Sequence, residues 1–175
     1  MMTTKLKVRF YGDPCLRKKS SPVKSVGPAE RMLIQAMLET MYEHKGVGLA
    51  APQVGINEQI FVTDIGQGQG PIAFVNPHII KKSGFLKQEE GCLSIPGVVV
   101  KVKRAEKIKV RYLNQYNKVV VEEFPELLAR VIQHETDHLH GKLIVDYASF
   151  FEKKKIKEQL KNLCDQVAKG PSDQA

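Results

Sequence analysis

Residues 126–141 read ELLARVIQHETDHLHG. Leu127, Leu128, Val131, Ile132 and Leu139 recur at helical spacing and Gly141 follows as a stop, so the stretch reads as an amphipathic helix. Within it, His134, Glu135 and His138 spell HExxH. Residues four apart share a helical face, so both imidazoles can reach one metal ion while Glu135, one residue on, stands beside the open coordination position. From there a carboxylate can take a proton from an activated water and hand it to a leaving nitrogen. The competing reading is a chance HExxH on a helix with surface histidines. Against it, the flanking apolar pattern turns both histidines inward, where an unliganded pair would need other partners.

Upstream of this helix, short strands dominate. Residues 59–64 (QIFVTD), 72–75 and 98–102 read as strands punctuated by Gly, Pro and Asn, and 107–112 with 119–123 read as a hairpin across 114–117. Residues 28–44 place Met32, Leu33, Ala36, Met37 and Met41 at helical spacing with Gly46 just beyond, an N-terminal helix that stops at a glycine. From Ser149 onward, Phe150, Phe151, Ile156, Leu160 and Leu163 stand among lysines as a third amphipathic helix, before KGPSDQA frays as a polar end. Helices at both ends of a run of strands predict an α+β fold rather than a βαβ repeat. The expectation is a single domain of short, mostly antiparallel strands packed around a central HExxH-bearing helix, with an N-terminal helix and a basic C-terminal helix. Residues 1–148 are expected to form the catalytic part and 149–175 a basic appendage. GQGQG at 66–70 lacks the following helix and the Lys-Ser/Thr pair of a phosphate loop, and reads as a turn between strands.

The 175 residues, 42% apolar and 26% charged, suffice for one hydrophobic core and not for two comfortable domains. No stretch approaches the ~18 consecutive apolar residues of a membrane helix, and MMTTKLKVRF carries no secretory core, so a cytoplasmic protein is expected. Cys15, Cys92 and Cys164, odd in number and widely spaced, argue for reduced thiols over a disulfide framework. The net charge of +8 favours encounters with anionic partners. Much of it lies in residues 101–112 and 150–163, and the plain reading of both is a solvated basic face.

Two histidines leave a catalytic site one protein ligand short. Beyond His138 the candidates are His140, Asp146, Glu152, Glu158 and Asp165. His140 falls on the wrong helical face, Asp146 stands only eight residues along, and the glutamates belong to the lysine-rich tail. Upstream, residues 89–97 (EEGCLSIPG) set Cys92 at what reads as a turn into a strand. A lone cysteine is more often a small core residue, but beside an incomplete HExxH it becomes the third-ligand candidate. Arg104 either neutralises Glu90 behind the site or forms an ordinary cross-strand pair.

Taken together, GVGLAAPQ (46–53), EGCLS (90–94) and QHETDHLHG (133–141) resemble, in order and spacing, the three signature segments of peptide deformylases. The likeness runs from YGDPCLR (11–17) through GKLIVDY (141–147), leaving only the basic tail outside. The resemblance implies Cys92, His134 and His138 as metal ligands, Glu135 as general acid/base, and an oxyanion hole made by the Gln53 side-chain amide and the Leu93 backbone N–H. It implies an extended peptide against Val47 and Gly48 with Gly91 on its other side, and a methionine pocket near Leu127 and Val131. Fe²⁺, one per chain, is the implied ion, with Zn²⁺, Ni²⁺ or Co²⁺ able to fill the same site. Partners would be N-formylmethionyl nascent peptides, with a ribosome contact through the basic tail, no membrane, and a monomeric chain. One departure stands out: where some deformylases carry an arginine shortly after EGCLS, residues 97–100 here are GVVV.

The expected function is hydrolysis of the formyl group from N-terminal formylmethionine. Two readings compete with it. An HExxH metallopeptidase would need a late third ligand, and a basic ribosome-associated protein with a structural metal would need a fourth protein ligand.

Overall fold

The computed structural model describes residues 6–170. Its backbone is a five-stranded antiparallel sheet in the order β1-β2-β3-β6-β7, formed by Gly48–Ala50, Ile60–Thr63, Ile72–Ser83, Lys107–Leu113 and Val119–Pro125, beside a separate ribbon of β4 (Leu86–Glu90) and β5 (Val100–Arg104). Every named strand pairing is antiparallel. Three α-helices, with three short 3-10 turns, complete the described residues: α1 (Pro28–Glu43), α2 (Glu126–Leu139) and α3 (Phe150–Ala168). The expected α+β class and single domain are what the fold shows.

The two-residue period of the strands divides the core. Ile60, Val62, Ala73 and Val75 cluster with Ile34, Met37, Leu38 and Met41 of α1. Phe61 and Phe74, one residue out of phase, cluster with Leu128, Ala129, Ile132 and Leu139 of α2. α1 and α2 therefore cover opposite faces of the sheet, and all four residues of β2 are buried. Phe74 anchors the α2 side, its ring 4.7 Å from Phe61 and 4.4 Å from Tyr112. A third cluster joins Val98, Val100 and Val102 to 143–148 and to Ile156 and Leu163 of α3, so the tail helix docks on the ribbon side.

Several local expectations are corrected. α1 ends without using Gly46 as its left-handed residue: Lys45 takes that conformation (φ 55°), and the Gly46 N–H closes on the Met41 carbonyl at 2.9 Å. Met32 points to solvent, 74% exposed, and Ile34 takes its place in the core. α2 does stop at Gly141, which is left-handed (φ 70°). A Cβ there would overlap the Arg17 carbonyl. β3 extends to Ser83, well past the expected 72–75, by passing a bulge at Asn76, whose side chain holds both the N–H and the C=O of Val23. β4 was not anticipated, and β5 begins two residues later than the expected 98–102. Phe150 and Phe151 are 78% and 75% exposed, so α3 buries only Ile156 and Leu163 fully. Of the fraying KGPSDQA end, residues 171–175 lie outside the described residues.

Candidate metal centre

α2 delivers His134 and His138 on one face, their rings 5.0 Å apart and inclined by 67°, with the two Nε2 atoms 3.2 Å from each other. Cys92 enters from the turn after β4, where the Ile95 N–H bonds the Cys92 carbonyl at 2.9 Å, and its Sγ lies 3.3 Å from His138 Nε2. The potential ligand atoms of the three residues lie within 4.8 Å of one another. Among the described residues no further Cys, His, Asp or Glu joins this group.

The donor set fits an ion. A thiolate with two imidazoles suits a divalent transition metal, whereas Mg²⁺ and Ca²⁺ take oxygen ligands. His134 Nδ1 is engaged by Glu90 Oε2 at 3.1 Å, which leaves Nε2 for the cluster, and a carboxylate behind a ligating histidine is the usual way its ring is oriented. At the centre itself, two buried polar atoms have no partner among the described residues, Glu135 Oε2 and His138 Nδ1. A buried carboxylate oxygen left unsatisfied on the wall of a cleft is what a group waiting for a proton-bearing ligand looks like.

Electrostatics agree. Burial pushes Glu135 up to about 7, against the pull of His134 and Arg104. Burial also opposes charge on His134, but hydrogen bonds to Cys92 and Glu90 outweigh it and raise that histidine well above its ordinary value. His138 is pushed well below by burial, with the positive charges of His134 and Arg104 adding to it. The anionic surroundings that would hold a proton on His134 equally favour a divalent cation, which binds in place of ligand protons. Glu90 itself, against the upward push of burial, is held at about 2 by hydrogen bonds from His134 and Arg104.

Of the residues singled out in the sequence, Val47, Gly48, Gln53, Gly91, Cys92, Leu93, Leu127, Val131, His134 and Glu135 all line one cleft of about 430 Å³. His138, 1% exposed, reaches the others through Cys92 and His134. Gln53 is fixed by accepting the Ala50 N–H (2.8 Å), so that its Nε2 points at Ser94 Oγ (3.2 Å) beside Cys92 Sγ (3.5 Å). A Cβ on Gly48 would overlap Glu135 Oε1 and come within 2.8 Å of Val131 Cγ1, so only glycine lets β1 pass this close to the carboxylate. Arg104 does bind Glu90, through two hydrogen bonds of 3.0 and 2.9 Å, and also reaches Asp137 and Tyr147.

Arg130, Ser94, Lys45 and Glu89 were not singled out from the sequence. Arg130 stands one turn before His134 on the same face of α2, a spacing that was there to be read. Ser94 lies inside the EGCLS segment, whereas nothing local marks Lys45 or Glu89 as rim residues.

Comparison with known proteins points one way. The sequence profile of the family described as polypeptide deformylase matches residues 5–154. A peptide deformylase of Thermotoga neapolitana is 49% identical over 141 residues, 80% of this chain and 85% of that protein. One of Alkalilimnicola ehrlichii is 42% identical over 163 residues, 92% of each. The crystal structure of a peptide deformylase from Legionella pneumophila superposes with a TM-score of 0.87 at 38% identity, covering 96% of this chain and 100% of that one.

Proposed function

This chain belongs to the polypeptide deformylase family, and from that premise we propose that Cys92, His134 and His138 hold its metal ion while Glu135, Gln53 and Leu93 carry the chemistry. The enzyme removes the formyl group from the N-terminal formylmethionine of newly synthesised polypeptides, releasing formate and a free amino terminus. The observation that carries the site assignment is the approach of Cys92, 42 residues before His134, to the histidine pair, 3.3 Å from His138 Nε2. The ion, when bound, supplies Lewis acidity that polarises the formyl carbonyl and makes water a better nucleophile. Fe²⁺ is our assignment, with Zn²⁺, Ni²⁺ or Co²⁺ able to replace it.

The chain's own groups supply the rest. Glu135, buried with an unpartnered Oε2, accepts the proton of the attacking water and returns it to the leaving nitrogen. The Gln53 Nε2 amide and the Leu93 N–H donate to the oxygen on which charge develops, in a site where such donors are already fixed. Gly48 lets the formyl group approach Glu135 without a Cβ between them. Val47, Gly48 and Gly91 flank the extended peptide, and Leu127 with Val131 receives the methionine side chain, whose burial contributes roughly 1.5 to 3 kcal/mol.

The competing readings lack their required ligands. Asp146, a late candidate for a metallopeptidase, is bound by Arg17 at 2.7 and 3.0 Å, and His140 bonds the Thr136 carbonyl. A structural metal would call for a fourth ligand, which the three-residue group among the described residues does not supply. We further read residues 1–148 as the catalytic unit of a cytoplasmic monomer and 149–175 as a basic appendage that meets ribosomal RNA. In support, Lys153, Lys154, Lys155 and Lys157 are exposed on α3, and no helix of the described residues is long and apolar enough to cross a membrane.

The test is turnover of formyl-Met-Ala-Ser, acetyl-Met-Ala-Ser and an internally cleavable peptide with blocked ends. The first is hydrolysed, the second barely, since an acetyl methyl pushes the carbonyl off the attacking water, and the third not at all. Cleavage of the third at a rate comparable to the first would overturn the reading.

A further inference from the structure

We propose that Arg130 is a positioning residue for the metal centre: by clamping the β4–β5 ribbon onto α2, it sets the distance between Cys92 and the two histidines. The proposal rests on the metal reading above. The five-stranded sheet does not include the ribbon that leads into Cys92, so no backbone ladder fixes that cysteine relative to α2. Side chains must do it.

Arg130 is 8% exposed and sits on α2 one turn before His134. Its Nη2 donates to the Leu86 carbonyl of β4 at 2.7 Å, and its Nη1 to the Val102 carbonyl of β5 at 3.0 Å and to Glu90 Oε1 at 2.7 Å. One guanidinium thus holds the backbone of both ribbon strands and the carboxylate whose other oxygen engages His134. Charge balance alone does not require it, because Arg104 already binds both oxygens of Glu90. What Arg130 adds is the pair of carbonyl bonds, which a planar fork with several fixed N–H groups can make at once and a lysine cannot. Two residues beyond Glu90 the chain reaches Cys92, so slack in this clamp arrives at the thiolate. Gln133 ties α2 to Ala105, just past the end of β5, through bonds of 3.1 and 2.9 Å, and Arg104 of β5 reaches Asp137 of α2, so the ribbon stays attached when Arg130 is lost.

The experiment titrates Co²⁺ into metal-free protein against a competing chelator and records the thiolate-to-cobalt absorption band, which reports Cys92 directly. R130M and R130K are compared with wild type and with V110A, a destabilising change in buried β6 away from the centre. Losing a group behind a metal ligand typically weakens binding 10–100-fold. R130M is therefore expected to lose about that much affinity with a weakened or shifted thiolate band, R130K to lose at least about threefold despite keeping the charge, and V110A to bind as wild type. If R130M does not fold, R130K alone decides. Affinity within twofold of wild type and an unchanged band in the Arg130 variants would overturn the proposal, as would an equal loss in V110A. A wild-type protein that takes up Co²⁺ without a thiolate band would instead remove the Cys92 assignment on which the proposal stands.

Discussion

Replacing Gly48 by alanine should separate catalysis from metal binding with one methyl group. Gly48 does not adopt a left-handed backbone conformation, so alanine meets no dihedral penalty and the whole effect is steric. The added Cβ would overlap Glu135 Oε1 and lie 2.8 Å from Val131 Cγ1, against about 3.4 Å for ordinary contact, so the valine alone must yield 3.4 − 2.8 = 0.6 Å and the carboxylate more. Both neighbours belong to α2, which is packed on the sheet and cannot retreat as a body. The Glu135 side chain therefore moves, by a distance on the order of 1 Å, and misplacement of that size costs about 10² in rate. Overpacking should cost roughly 1 to 3 kcal/mol of stability, which for a chain of this length lowers Tm by about 2–4 °C per kcal/mol. Formate release by G48A is measured beside its metal content and its melting curve. The expected result is kcat reduced about a hundredfold with metal content as in wild type. A kcat within threefold of wild type would refute the reasoning that a Cβ at position 48 displaces Glu135, the carboxylate proposed to move the proton.

Glu135→Gln should keep the metal, because Glu135 lies outside the group formed by Cys92, His134 and His138, and lose about 10² to 10⁴ in turnover; near-normal turnover by single-turnover assay would mean another base. Cys92→Ala should reduce bound metal in elemental analysis, and full occupancy would end its assignment as a ligand. With iron bound, activity should decay in air through oxidation at the thiolate-ligated centre, and Ni²⁺ or Co²⁺ should preserve it; undiminished activity of the ferrous enzyme after aeration counts against Fe²⁺. Reversing Lys153, Lys154 and Lys157 to glutamate leaves Ile156 and Leu163 in place, so α3 should stay docked while sedimentation with ribosomes at low salt drops. Equal pelleting of variant and wild type would rule the tail out.

Features written in short-range spacing were legible without any structure. The i, i+4 histidines with Glu135 between them depend only on the helical period, and so does the inward turn of that face, which the burial of Glu135 (4%) and His138 (1%) repeats. The β6–β7 hairpin was marked by its Asn-rich loop, and the left-handed Gly141 by its place after the last apolar residue of α2. β4 was not legible, because LKQEE is mostly exposed and polar and owes its strand form to pairing with β5. β3 was cut short for the opposite reason: Asn76 and Pro77 look like an end, yet the chain continues through a bulge that the Asn76 side chain stabilises against Val23, 53 residues away. Phe150 and Phe151 fit the apolar stripe of α3 by composition and still face solvent, since which turns of a helix are covered depends on what lies opposite. The order of residues thus determined which groups could do the chemistry. Only the tertiary structure decided how they meet: Cys92 at the histidine pair, β1 against Glu135, and Arg130 across both strands of the ribbon. Those contacts join segments tens of residues apart, where packing and hydrogen-bond satisfaction set the geometry and local periodicity carries no information about it.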